Sequence, residues 1–407
     1  MGATRTILVS GDGSATVAAA TALHHARQGH RTLLLAADDP HHTVDALLDT
    51  RLTAEPAPCA DRLTAARIDE RSAFTAALDG YRDRIAPVLD LIGAQPLDPE
   101  ELTPLPGTRQ LALLHALHTA DAEVLVVAAP PPADLIAALA LPEQLDRYLA
   151  RLLPEQRQAA RALRPLLAAV AGVPMPADWL FDARTAAAGA LAGARAAVEA
   201  PGTTVRLTVD ADHHTADELR RIRAGLALFG HRLDAVVAHR ALPATAVDSP
   251  DPWLARLAVR QRERLAALAG ELGPVPLLVC DQPELTLEGV AGQLYGPGAS
   301  TGVLPAAGGA AGDVAGGARG VAGSRVENRL DEDGLLVWHL PLPGADRADL
   351  DLVRRGDELV LGTGPYRRIL SLPSALRRCT VSGAALADGV LSVRFAPDPA
   401  LWPSAPR

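Results

Sequence analysis

The residues best placed to do chemistry are Gly11-Asp12-Gly13-Ser14-Ala15-Thr16. The run before them, Thr6-Ile7-Leu8-Val9-Ser10, reads as a buried strand, and Val17 to Gln28 reads as a helix closed by Gly29. Strand, glycine turn and helix N-terminus together aim backbone N–H groups at an anion, and a lysine at the head of the helix completes a phosphate site. Here there is no room for a full G-x-x-x-x-G-K-[ST] loop. Nor is there a lysine: all 39 basic side chains of the 407-residue chain are arginine, and none lies between Arg5 and Arg27. A composition rich in Ala, Gly, Pro and Arg accounts for the missing lysines on the surface but not in the loop, where a planar guanidinium is no substitute for an ammonium. Asp12 adds a negative charge beside the expected phosphate position. Phosphoryl transfer depends on positioned cations. Losing one preorganised donor costs about 10²- to 10³-fold in rate. With several absent, useful hydrolysis is not expected. A bare helix N-terminus would attract an anion by only about 0.3–1 kcal/mol.

Other clusters carry weaker signals. Asp38, Asp39, His41 and His42 have metal-ligand residue types, and His213-His214 near Asp210 and Asp212 repeats the theme. Adjacent histidines on a loop point apart and neither cluster has a ligand spacing, so no metal site is expected. His115 and His118 could share one helix face, as a solvated or interface edge. Cys59, Cys280 and Cys379 are widely separated, without a C-x-x-C pair, which suits a reducing compartment better than a disulfide framework or structural zinc. A net charge of −9 argues against nucleic acid as a partner. Neither a signal peptide nor an integral membrane segment is apparent, so a soluble cytoplasmic protein is expected.

The elements that must position these residues follow a repeating pattern. Apolar strands are predicted at His30 to Ala37, Ala122 to Ala128, Thr204 to Val209, Leu233 to Ala238 and Val275 to Cys280, alternating with helical or polar stretches. That alternation predicts an α/β domain with a mostly parallel sheet covered on both faces. Residues 142–200, rich in Ala, Leu and Arg, read as a helical insertion. At about Gly296 the composition changes to Gly, Ala, Ser and Pro, giving a flexible linker over 298–326. Residues 327–398 then read as a small all-β module, with Gly356-Asp357 and Asp388-Gly389 placed for hairpins, followed by a tail, 399–407.

With the elements in order, the sequence resembles a known family. Thr16 to Leu23, Gln28-Gly29-His30-Arg31-Thr32-Leu33-Leu34-Leu35, Asp39-Pro40, Val126 to Glu143, Asp234 to Pro243 and Trp253 to Tyr295 are similar to the ArsA-type ATPases. These include the arsenite-pump ATPase and the targeting factor for tail-anchored membrane proteins. The resemblance covers most of 1–297 and implies a P-loop NTPase-like fold that works as a dimer with ATP and magnesium. Leu340 to Gly344 and Ala387 to Val393 resemble the α-crystallin-like (small heat-shock protein) domain of some bacterial members. The family's loop reads G-K-G-G-V-G-K-[ST]-[ST]. Aligned through Thr16, its loop lysine falls on Ser14, its magnesium hydroxyl on Ala15 and its signature lysine on Val9; anchored on Gly11, with two residues deleted, it puts the signature lysine on Asp12. Ala128 stands for the aspartate near magnesium, and His239 for the asparagine implicated in adenine recognition. Asp39 alone matches a catalytic element, the switch aspartate that positions water; without its partners it reads as a vestige, serving as a helix N-terminal or turn carboxylate.

The resemblance therefore implies a homologue without bound cofactor that has lost hydrolysis. Its expected role is that of an assembly or regulatory subunit, in a homodimer or a heterodimer with an ATP-competent relative. Two alternatives stay open: a divergent ATPase using ATP and magnesium in ion transport or protein targeting, and a chaperone-like protein holding clients through the β module. Leu141 to Ala200, where relatives with targeting activity make a client groove, has a single methionine, Met175, and reads better as ordinary packing. The ending Leu401-Trp402-Pro403 lacks the I-x-I motif that locks large oligomers.

Overall fold

The computed structural model describes residues 4–73, 75, 101, 103–152, 178–212, 216–281, 286–296, 321 and 323–402. The α/β half contains β1 (Arg5–Gly11), α1 (Ser14–Arg27), β2 (Thr32–Ala36), α2 (Thr43–Leu48), β3 (Ala57–Ala60), β4 (Leu63–Arg67), α3 (Thr108–Thr119) and β5 (Val124–Ala128). It continues with α4 (Pro132–Leu152), α5 (Asp178–Val198), β6 (Thr203–Asp210), α6 (Ala216–Leu228) and β7 (Arg232–Ala241). A short 3-10 turn (Ala244–Asp248), α7 (Pro252–Leu272), β8 (Leu277–Asp281) and α8 (Leu287–Tyr295) complete it. Eight strands form one sheet in the order β3-β4-β2-β5-β1-β6-β7-β8, parallel except for β3 against β4.

The central strands β2 and β5 are buried at every position, as strands covered on both faces must be. On one face Ile7, Val9, Leu34 and Val126 pack under α1, α2 and α8. On the other, Leu8, Leu35, Leu125 and Val205 pack under α3, α4, α5, α6 and α7. The edge pair β3 and β4 has no counterpart in the sequence reading: Ala57-Pro58-Cys59-Ala60 is short and carries a proline, which weakens any strand pattern. Of the expected helical insertion, the described parts are the end of α4 and α5; residues 153–177 lie outside the described residues.

The remaining strands make a sandwich. One sheet orders β14 (Cys379–Ala387), β15 (Val390–Pro397), β10 (Leu335–Pro341) and β9 (Arg325–Arg329); the other orders β11 (Leu350–Arg355), β12 (Glu358–Thr363) and β13 (Tyr366–Ser371). A one-turn helix, α9 (Leu330–Asp333), links β9 to β10. Its core holds Trp338, Leu361, Phe395 and also Val321, and most of the expected linker lies outside the described residues.

The sandwich docks on the α/β half through β12 and β13. Arg368, 5% exposed, lies 3.0 Å from Glu143 of α4 and donates to the Leu228 carbonyl at the end of α6 at 2.8 Å. Arg147 reaches Glu358 at 2.7 Å and the Ile369 carbonyl at 2.7 Å. Tyr366 lies so close to Gly225 of α6 that a Cβ there would stand 2.6 Å from its ring.

Candidate functional site: a closed phosphate turn

β1 ends at Gly11 and α1 begins at Ser14, so Asp12 and Gly13 alone connect them. Both glycines are needed for the turn. Gly11 has φ of 114° and Gly13 of 70°, a range side-chain-bearing residues seldom enter. A Cβ on Gly11 would meet the Thr208 carbonyl oxygen of β6 at 2.1 Å, and one on Gly13 would meet His239 Cε1 at 2.7 Å. The His239 imidazole, carried by β7, therefore lies directly against the turn. It is 8% exposed, and its Nε2 has no hydrogen-bond partner among the described residues. Burial, helped by Arg240, lowers its pKa against the opposing pull of Asp210 and Asp12, which favours the neutral ring.

Backbone bonds fix the surroundings. Ser10 Oγ donates to the Pro130 carbonyl at 2.5 Å, Thr208 Oγ1 to the Ser10 carbonyl at 3.2 Å, and the Ala129 N–H to the Val9 carbonyl at 2.8 Å. Ala128 is fully buried, and its carbonyl receives the N–H groups of Ala37 and Asp38 at 3.0 and 3.2 Å. It acts as a brace between β5 and the end of β2. At the head of α1, Ser14 is buried and Ala15 and Thr16 are half-buried, with no side-chain cap and no acidic residue in the first turn.

Asp39 is 5% exposed and committed to local structure. Its Oδ1 accepts from the Thr43 N–H at 2.8 Å and its Oδ2 from the Val44 N–H at 3.0 Å, which caps α2. Arg67 completes the set, with Nη2 at 3.3 Å from Oδ2 and Nη1 donating to the Asp39 carbonyl at 3.0 Å.

Beside the turn is a cavity of about 410 Å³ lined by Gly13, Thr16, Thr43, Leu47, His239 and Arg240, among others. Arg240 is its one cationic lining residue, held at φ 58° and 3.6 Å from Asp210. The turn as built lacks the cations that a triphosphate with magnesium calls for. Gly11 to Thr16 supplies no cation, and the His239 imidazole stands against Gly13. Among the described residues no three His, Cys, Asp or Glu side chains converge to hold a metal ion. Asp38 pairs with Arg109 at 3.4 Å and His42 with Asp45 at 3.2 Å, while His213-His214 lies outside the described residues. His118 packs over Gly193 of α5, and the three cysteines are free thiols. Among the described residues no helix is long and apolar enough to cross a membrane.

A family model described as anion-transporting ATPase (ArsA) matches residues 4–281, more than half of the chain. The chain belongs to the ArsA family. A second model, the HSP20-like domain found in ArsA, matches residues 333–395, within the sandwich. An uncharacterized Streptomyces coelicolor protein is 47% identical over 98% of this chain and 99% of its own length. A Mycobacterium tuberculosis protein is 29% identical over 97% of this chain and 96% of its own. A putative arsenical pump-driving ATPase of Aquifex aeolicus is 21% identical over 92% and 95% respectively. The ArsA framework thus extends through both halves of the molecule.

One feature of that framework escaped the sequence reading. Arg206 of β6 is wholly buried; its Nε and Nη2 donate to Asp234 at 3.2 and 2.8 Å, and its Nη1 donates to Thr21 Oγ1 and the Tyr295 hydroxyl. It ties β6 and β7 to α1 and α8. The available signal was an arginine inside an apolar strand of a sheet predicted to be covered on both faces.

Proposed function

We propose that this ArsA-family protein has lost ATP hydrolysis and acts as a non-catalytic assembly or regulatory subunit, paired with a second copy or an ATP-competent relative. The carrying observation is the two-residue turn beneath His239. A triphosphate needs several converging donors and cations, and Gly11 to Thr16 offers backbone N–H groups, the hydroxyls of Ser14 and Thr16 and the carboxylate of Asp12, with no cation and with the His239 ring against Gly13. Asp39 supports the same reading, because both its oxygens are engaged by α2 and Arg67. Calorimetric titration with ATP and magnesium tests the proposal: no heat of binding and no turnover are expected, and Asp39→Asn changes stability only.

A divergent ATPase is the second reading, favoured by Arg240 at the rim of the cavity beside Thr16 and Thr43. Steady magnesium-dependent turnover abolished by Arg240→Ala would establish it in place of the first. Client holding by the sandwich gains less support, since β12 and β13 are engaged with α4 and α6.

A further inference from the structure

We propose that the cavity beside the turn binds a small zwitterion with an apolar body, of the class of an aliphatic α-amino acid. The assignment deepens the non-catalytic reading and rests on it, because a nucleotide seated there would take the same space. The cavity is lined by the carboxyl ends of β7 and β8, at His239-Arg240 and Cys280-Asp281, and parallel sheets receive their ligands outside those ends. At about 410 Å³ it lies near the small end of the range for ligand pockets.

The walls carry one charge of each sign. Arg240 is the only cationic lining residue and Asp281 the only carboxylate. They stand on neighbouring strands, where Asp281 is in register with Ala241, yet among the described residues no ion pair joins them. The Arg240 side chain is 60% exposed and meets Asp210 through Nη1 alone, at 3.6 Å, so its other guanidinium donors are open to a carboxylate. Asp281 is half-buried and its carboxylate has no partner among the described residues, which suits it to accept an ammonium group. The half-buried hydroxyls of Thr16 and Thr43 add neutral hydrogen-bonding groups. Val17, Leu47 and Val290 make an apolar wall for a short aliphatic chain. With the neutral His239 ring favoured, the charges of the lining cancel. A ligand of one sign satisfies one wall and is repelled by the other, and a polyphosphate would set several negative charges against a single guanidinium and a carboxylate. A zwitterion matches both.

Calorimetric titration of the full chain with L-leucine tests the assignment. Saturable binding with a Kd below about 1 mM is expected. Isocaproate, which lacks the ammonium group, and isoamylamine, which lacks the carboxylate, should each bind at least about tenfold more weakly. Glycine, without the apolar body, should lose about as much. Arg240→Gln and Asp281→Asn should each weaken leucine binding about tenfold in proteins that melt as wild type does. No saturation by leucine at about 5 mM, isocaproate as tight as leucine, or both variants within about twofold of wild type would each overturn the proposal. A separate titration with ATP and magnesium distinguishes the two failures: heat of nucleotide binding would remove the non-catalytic reading and this assignment with it, whereas silence with both ligands would remove this assignment alone.

Discussion

Placing a methyl group on Gly13 probes whether imidazole truly fills the space above the turn. At φ 70° an alanine is in the left-handed region, which costs about 1–2 kcal/mol. Its Cβ would also stand 2.7 Å from His239 Cε1, and forcing such an overlap adds about 1–3 kcal/mol. Gly13→Ala should therefore destabilise the α/β domain by about 2–5 kcal/mol, measured by urea denaturation followed by circular dichroism. In a His239→Ala background the overlap disappears and only the backbone cost remains. The two substitutions should thus couple by about 1–3 kcal/mol in a double-mutant cycle. If Gly13→Ala lies within about 0.5 kcal/mol of wild type, or costs the same in both backgrounds, the ring does not cover the turn. The non-catalytic reading would then lose its main support.

Three other outcomes are expected. Asp234→Asn strands the buried Arg206 charge and should cost about 3–5 kcal/mol, while Arg206→Met with Asp234→Leu should restore most of it in the same denaturation assay. Arg368→Ala removes the contacts to Glu143 and the Leu228 carbonyl; because Arg147, Tyr366 and the apolar contact of Leu228 remain, it should loosen the docking without freeing the sandwich, seen as faster amide exchange in β13 and at the end of α6. Burial, with Arg5 and neighbouring histidines adding to it, pushes His25 down to about 3. The unfolded chain thus binds a proton that the folded chain refuses between about pH 6.5 and 3, and this contribution to stability is lost as pH falls, at up to about 1.4 kcal/mol per pH unit. His25→Met should flatten that acid limb of the stability curve.

Strands buried on both faces were legible because they leave continuous apolar runs, as in β1, β2 and β5. β9 was not, since Arg325-Val326-Glu327-Asn328-Arg329 is charged and exposed on the sandwich edge, resembling the end of a linker more than a strand. Within the site, the glycines and the absence of lysine could be read directly from residues 11–16. The place of His239 could not: it comes from β7, separated from β1 by β6, so its approach to Gly13 depends on strand order rather than on local pattern. Arg206 was hidden by the same limitation, its partners Asp234, Tyr295 and Thr21 being far away along the chain.

The docking of β13 also bears on how copies of this protein can meet. An edge strand ordinarily tempts other chains to pair with it, yet this one lies against the helices of its own molecule, with the Ile369 carbonyl bonded by Arg147 and the Arg368 side chain bonded to the end of α6. A detached sandwich, or a foreign β segment, would compete with a tethered rival whose local concentration reaches about the millimolar range. Any strand that would pair at that edge must therefore first displace contacts made within the molecule.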